Sequence, residues 1–228
     1  MVRNIQQEKF VSDKSGFTLL ELLIVIGILA ILSAVVVFVL NPAETLRKSR
    51  DAQRIADLST VKSALGLYLT NTTTPLLDNT VGNTTCKNGA GTKTLYFSYP
   101  LDTPITDVLF DGGSFTAAGQ VLAANLGKVT GGGWIPVNLS GLTGGSPISN
   151  MPIDPTNTIT ALGAVTSTDL VYRYVCDKTN LTFEIDAQLE SAAYTTSPDD
   201  KRTKDGGNNS NFYESGTDLT ILGTGTDF

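Results

Sequence analysis

The chain has 228 residues, a formal net charge of -6 and no histidine. The missing histidine excludes Ser-His-Asp and Cys-His catalysis and any His-ligated metal, and the acidic balance argues against nucleic-acid binding through a basic surface. Two cysteines, Cys86 and Cys176, are too few for a four-thiolate zinc site; in an oxidising compartment they could close one disulfide loop, and otherwise they would be two buried thiols.

Residues 1–16 are polar and carry Arg3, Lys9 and Lys14 against Glu8 and Asp13. From Phe17 to Leu40 run 24 residues with one charge, Glu21, and no proline. As a helix this stretch would be about 36 Å long, enough to cross a hydrocarbon layer of about 30 Å with some tilt. A secretory signal would be cut after its apolar region. Here a second helical pattern follows the apolar run, so the cut is expected before it. An ionised carboxylate inside a membrane helix costs about 2.5–3.5 kcal/mol on insertion scales. Snorkelling to headgroups or stabilisation at the helix N-terminus would each account for Glu21 without a partner.

The order Lys14-Ser15-Gly16-Phe17-Thr18-Leu19-Leu20-Glu21 opening a long apolar helix resembles the processing site of type IV prepilins and their relatives. The resemblance implies cleavage after Gly16, N-methylation of the new terminus Phe17, and an assembly role for Glu21. The amine freed at Phe17 of one copy could then pair with Glu21 of a neighbour. It further implies a prepilin peptidase, an assembly platform and an ATPase as partners. The location implied is the inner membrane before assembly, then an extracellular, cell-surface pilus, with copies of the chain itself as partners in a helical filament. Enzymatic activity is not expected, because no spacing of Asp and Glu singles out a catalytic pair.

Pro42 follows the apolar run and is expected to kink the helix or divide it in two. Ile55, Leu58, Val61, Leu65 and Tyr68 then recur at helical spacing, with Arg54, Asp57 and Lys62 off that stripe, predicting an amphipathic helix over 41–70 that packs on a sheet. Arg47, Lys48 and Arg50 with Glu44 and Asp51 read as a solvated face or as a bridge to neighbouring subunits. By charge counting, the basic residues after the span would keep the rest of the chain cytoplasmic; the processing motif places it outside instead.

Beyond Asn71-Thr-Thr-Thr-Pro75 the composition turns to Asn, Thr and Gly, a loop signature. Strand-like runs are 94–99, 134–139, 170–176, 181–187 and 219–222, the third and fourth forming a hairpin with one buried face across Asp177–Asn180. Residues 101–133 are ambiguous. The predicted fold class is α+β: a leader at 1–16, a membrane and assembly helix at 17–40, the amphipathic helix at 41–70, and a β-rich extracytoplasmic head at 71–228 with a small antiparallel sheet. This arrangement resembles the pilins, and Met151-Pro-Ile-Asp-Pro155 with the Gly/Asp-rich tail is similar to type II secretion pseudopilins.

In that tail Asp205, Asn208, Asn211, Glu214 and Asp218 are candidate hard-oxygen ligands for calcium, the only candidate cofactor, although their spacing is not that of an EF-hand. A solvated polar loop is the competing reading. N-x-S/T sequons occur at Asn71, Asn83, Asn138, Asn180 and Asn208, a number such a composition produces by chance. Two functions follow from the resemblance: a type IV pilus subunit, or a pseudopilin of a type II secretion or DNA-uptake system.

Overall fold

The computed structural model describes residues 16–89, 93–100, 115–119, 121–159 and 168–224. The leader apart from Gly16, and residues 101–114 of the ambiguous stretch, lie outside these. The chain divides into two compact units, Met1–Pro42 and Ala43–Phe228.

The first unit holds helix α1, Leu19–Leu40. Leu, Ile and Val lie on every side of it and leave no polar face, and it ends at Asn41, whose φ of 37° puts the backbone in the left-handed region that closes helices. Helix α2, Pro42–Asn71, starts at once, with proline in the first helical position, where its missing N–H costs nothing.

The second unit is built on a five-stranded sheet. Its strands are β1 (Lys93–Phe97), β2 (Phe115–Gly119), β3 (Tyr172–Asp177), β4 (Thr182–Ala187) and β5 (Tyr213–Gly216), in spatial order β2-β1-β3-β4-β5. β1, β3, β4 and β5 pair antiparallel, while β2 lies parallel to β1 at one edge, an addition to the all-antiparallel sheet expected. A short helix α3, Ala192–Thr195, follows β4.

Side-chain alternation gives the sheet two buried faces. Tyr172, Tyr174 and Cys176 of β3 and Phe183, Ile185 and Ala187 of β4 join Leu58, Val61, Ala64, Leu65 and Tyr68 of α2 in the main core. Trp134 fills this core, fully buried, and its indole N–H donates to the Pro152 carbonyl at 2.8 Å. On the opposite face Leu95, Phe97, Val171 and Val175 are covered by Phe212, Ile221 and Leu222 from the C-terminal segment.

Several expectations need correction. The hairpin buries both faces, so Glu184 and Asp186 are inside rather than solvated. Residues 134–139 form no strand: Trp134, Ile135 and Val137 enter the core from a loop that ends in a 3-10 turn at Leu139–Gly141. Residues 219–222 are turns that cap the second face, and the fifth strand lies earlier, at 213–216. Arg54 and Asp51 are fully buried on the inner side of α2, whereas Ile55 is only partly covered.

That last exchange has a physical cause. The Arg54 guanidinium makes a bidentate pair with Asp154 (2.7 and 2.9 Å) and meets Asp51 at 2.8 Å and Glu190 at 2.6 Å. Burial works against its charge, but the surrounding carboxylates hold its pKa above the ordinary arginine value. Asp51 in turn accepts the backbone N–H groups of Glu190 and Ser191. Arg50 adds a second bidentate pair to Glu190, at 2.7 and 2.9 Å. Burial alone would raise Glu190; the two guanidiniums hold it below its usual value. The first turns of α2 are thereby fastened to the segment after β4 within one chain, so Arg50 and Asp51 are internal ties rather than a bridge to other subunits.

Candidate processing and assembly site

Gly16 and Phe17 precede α1 in exposed chain outside the helix, Phe17 being 83% exposed. Thr18 is the N-cap. Its backbone N–H and its hydroxyl donate to Glu21 Oε2 at 2.9 and 2.8 Å, and its Oγ1 accepts the Glu21 N–H at 3.2 Å. This reciprocal capping box satisfies donors that the start of a helix otherwise leaves open. Sequence reading passed over Thr18, yet the signal was present: Thr18-Leu-Leu-Glu21 is the S/T-x-x-E pattern.

The box fixes where the carboxylate lies. Glu21 is held one turn into α1, close in sequence to the amine that cleavage at Gly16 would create, and the side chains around it are apolar and exposed. Leu19–Val36 is long and apolar enough to cross a membrane, and none of it is buried in the chain's own fold. Such a surface needs either lipid or other helices around it.

Cys86 and Cys176 are joined as a disulfide with Cα atoms 4.8 Å apart, tying the loop after α2 to the end of β3 across 90 residues of sequence. Of the five tail positions set out as calcium ligands, Asp205 accepts the N–H groups of Gly207 and Glu214, at 2.9 and 2.7 Å. Glu214 is buried and accepts the Asn209 N–H at 2.8 Å. Asn208 is exposed, the Asn211 N–H is bound by Asn209 Oδ1, and Asp218 caps the turn at Thr220. Asp205 and Glu214 are thus linked, while Asp218 serves its own turn. Among the described residues no three His, Cys, Asp or Glu side chains are grouped to hold a metal ion. Of the sequons, Asn83 is buried with its amide donating to the Pro75 carbonyl.

Residues 11–37 match the family model described as the prokaryotic N-terminal methylation motif. No match was found among curated proteins or among solved structures. The motif is the signature of type IV pilins and prepilin-like proteins, and the chain carries it on the segment that holds Gly16, Phe17 and Glu21. Together with the apolar helix and the α+β head, it supports a pilin-like or pseudopilin protein, a structural class processed as a membrane-anchored precursor.

Proposed function

We propose that this chain is a structural subunit of a type IV pilus, cleaved after Gly16, N-methylated on Phe17 and polymerised through α1. The observation that carries this reading is Glu21: one acid in an exposed apolar helix of membrane length, held by its cap near the prospective amino terminus. In lipid the carboxylate lacks a countercharge. In a stack of subunits the cationic amine of an incoming copy supplies one, and removing either member of such a pair in low dielectric costs about 3–5 kcal/mol. A penalty of that size is enough to set register. Prepilin peptidase, an inner-membrane platform and an ATPase would perform the cutting, methylation and work; the chain itself would be substrate and building block. The head would lie outside the inner membrane, an environment in which the Cys86–Cys176 bond persists.

Mass spectrometry of the N-terminal peptide from sheared surface material tests this reading. An N-methylated Phe17 terminus is expected, and an intact Met1 terminus in mature filaments would overturn it. If the filaments are short and periplasmic and their loss abolishes secretion of other proteins, the pseudopilin reading replaces the pilus.

A further inference from the structure

The chain enters its second unit through a cluster of cations. Helix α2 opens at Pro42, directly after α1, and Arg47 and Lys48 lie in its first two turns, both exposed. The segment after β4 lies against the same turns. There the Ser191 N–H donates to Asp51 Oδ2 at 2.7 Å and the Ala193 N–H to Glu44 Oε1 at 3.2 Å. That segment carries Lys201, partly exposed, and Lys204, exposed. Lys48 and Lys201, far apart in sequence, both stand over the half-buried ring of Tyr194 on α3, 5.5 and 5.6 Å from its centroid. Two ammoniums gathered on one ring repel each other, and an anion in front of them would relieve the repulsion.

The acids at this end do not cancel the patch. Arg47 meets Glu44 at 3.9 Å and Lys201 meets Asp199 at 2.8 Å, exposed pairs of a kind that contributes little. Arg202 and Asp200 pair with each other at 2.9 Å, and Lys204 donates to the Pro198 carbonyl. Arg47, Lys48, Lys201 and Lys204 against Glu44 and Asp199 leave a surplus of two positive charges, in a chain whose net charge is -6. Residues 205–228, by contrast, carry Asp205, Glu214, Asp218 and Asp227 and no Lys or Arg. Arg47 and Lys48 are also among the residues that charge counting would hold in the cytoplasm, so on a head outside it they call for another role.

We propose that this patch docks the head of the unassembled subunit onto anionic phospholipid headgroups. Lipid phosphates would lie against Arg47, Lys48, Lys201 and Lys204, with the Tyr194 ring at headgroup level. Tyrosine, with an apolar ring and a polar tip, suits that depth. The inference rests on the reading of α1 as a membrane span, because that anchor, joined directly to α2, delivers the patch to a lipid surface. Near an anionic surface each Lys or Arg contributes about fivefold, so a surplus of two favours docking on anionic over neutral lipid by about 25-fold. Withdrawing α1 into a filament breaks these contacts, so docking would retain subunits in the membrane until they assemble.

Paramagnetic broadening of amide signals, with the full chain in lipid nanodiscs that carry a gadolinium-labelled headgroup, tests the docking. Broadening at Tyr194, Lys201 and Lys204 is expected in discs containing phosphatidylglycerol. The docking equilibrium is expected to fall about 25-fold in phosphatidylcholine alone. Molar salt, which shortens the screening length to about 3 Å, is expected to release the head. Lys48→Gln combined with Lys204→Gln removes the surplus and should behave as the wild type does on neutral lipid. Lys62→Gln combined with Lys87→Gln removes as much charge elsewhere, about four turns along α2 and beside the far end of β3, and should dock as the wild type does. Equal broadening on both lipids, or equal loss in the two double variants, would overturn the proposal while leaving α1 in the membrane. Docking seen only in discs that hold two copies would assign the patch to the acidic surface of a second chain and overturn it too. A chain that fails to co-purify with the discs would refute the membrane-spanning role of α1 and the proposal with it.

Discussion

Glu21 on α1 is held by its own helix cap through Thr18, whereas Glu190 receives two guanidiniums, from Arg50 and Arg54 of α2. Both are glutamates beside long helices, yet the second is neutralised inside one chain and the first meets uncharged donors. The difference separates a charge that completes the fold from one that, on the proposed function, a neighbour would complete. In α2 the ion pairs are internal, so changing them damages stability. In α1 the acid adds little to the fold beyond its cap, so on the proposed function changing it is expected to damage assembly.

Glu21→Ala is the sharpest way to break the contrast. If roughly 3–5 kcal/mol is lost at each subunit contact, incorporation into filaments is expected to fall by at least about 100-fold, while the head's Tm stays at the wild-type value. Quantitative immunoblotting of sheared filaments beside calorimetry reads both halves, and wild-type incorporation would end the assembly role.

Reducing Cys86–Cys176, which closes a loop of 90 residues, is expected to remove about 4.5 kcal/mol of stability on the loop-entropy model. Urea titration with and without reductant measures it. Arg54→Ala strands Asp51, Asp154 and part of Glu190, and should cost about 3–5 kcal/mol in the same titration, leaving N-terminal processing unchanged. A loss below about 1 kcal/mol would mean that the α2 network is ornamental, in the way exposed ion pairs often are.

Thr18→Ala carries the smallest expected effect. Losing the cap should cost about 1 kcal/mol at the start of α1, read as roughly fivefold faster amide exchange over residues 20–22 in bicelles.

What could be read from residue order alone follows from how local each signal is. The apolar run and the hairpin alternation are short-range patterns, and both α1 and the β3–β4 pair lie where those patterns point. The buried charges were not legible, because Arg54 meets Asp154 across 100 residues and its partners are invisible to helical periodicity. The same holds for Glu184, whose alternation with Phe183 and Ile185 suggests solvent until the C-terminal segment folds over it. β5 was missed because Tyr213-Glu-Ser-Gly216 has no apolar stripe, and the Trp134 run misled because a loop can fill a core as well as a strand can. Gly16, Phe17 and Glu21 were put forward from a linear string, and the methylation-motif match over residues 11–37 contains all three; the cap at Thr18 needed only the three-residue spacing to Glu21.

A filament reconstruction that resolves side chains at the helix core tests the central claim most directly. The account predicts the Phe17 nitrogen of one copy within about 4 Å of the Glu21 carboxylate of another. A Glu21 carboxylate turned to lipid or water, with no amino terminus from another copy beside it, would contradict it.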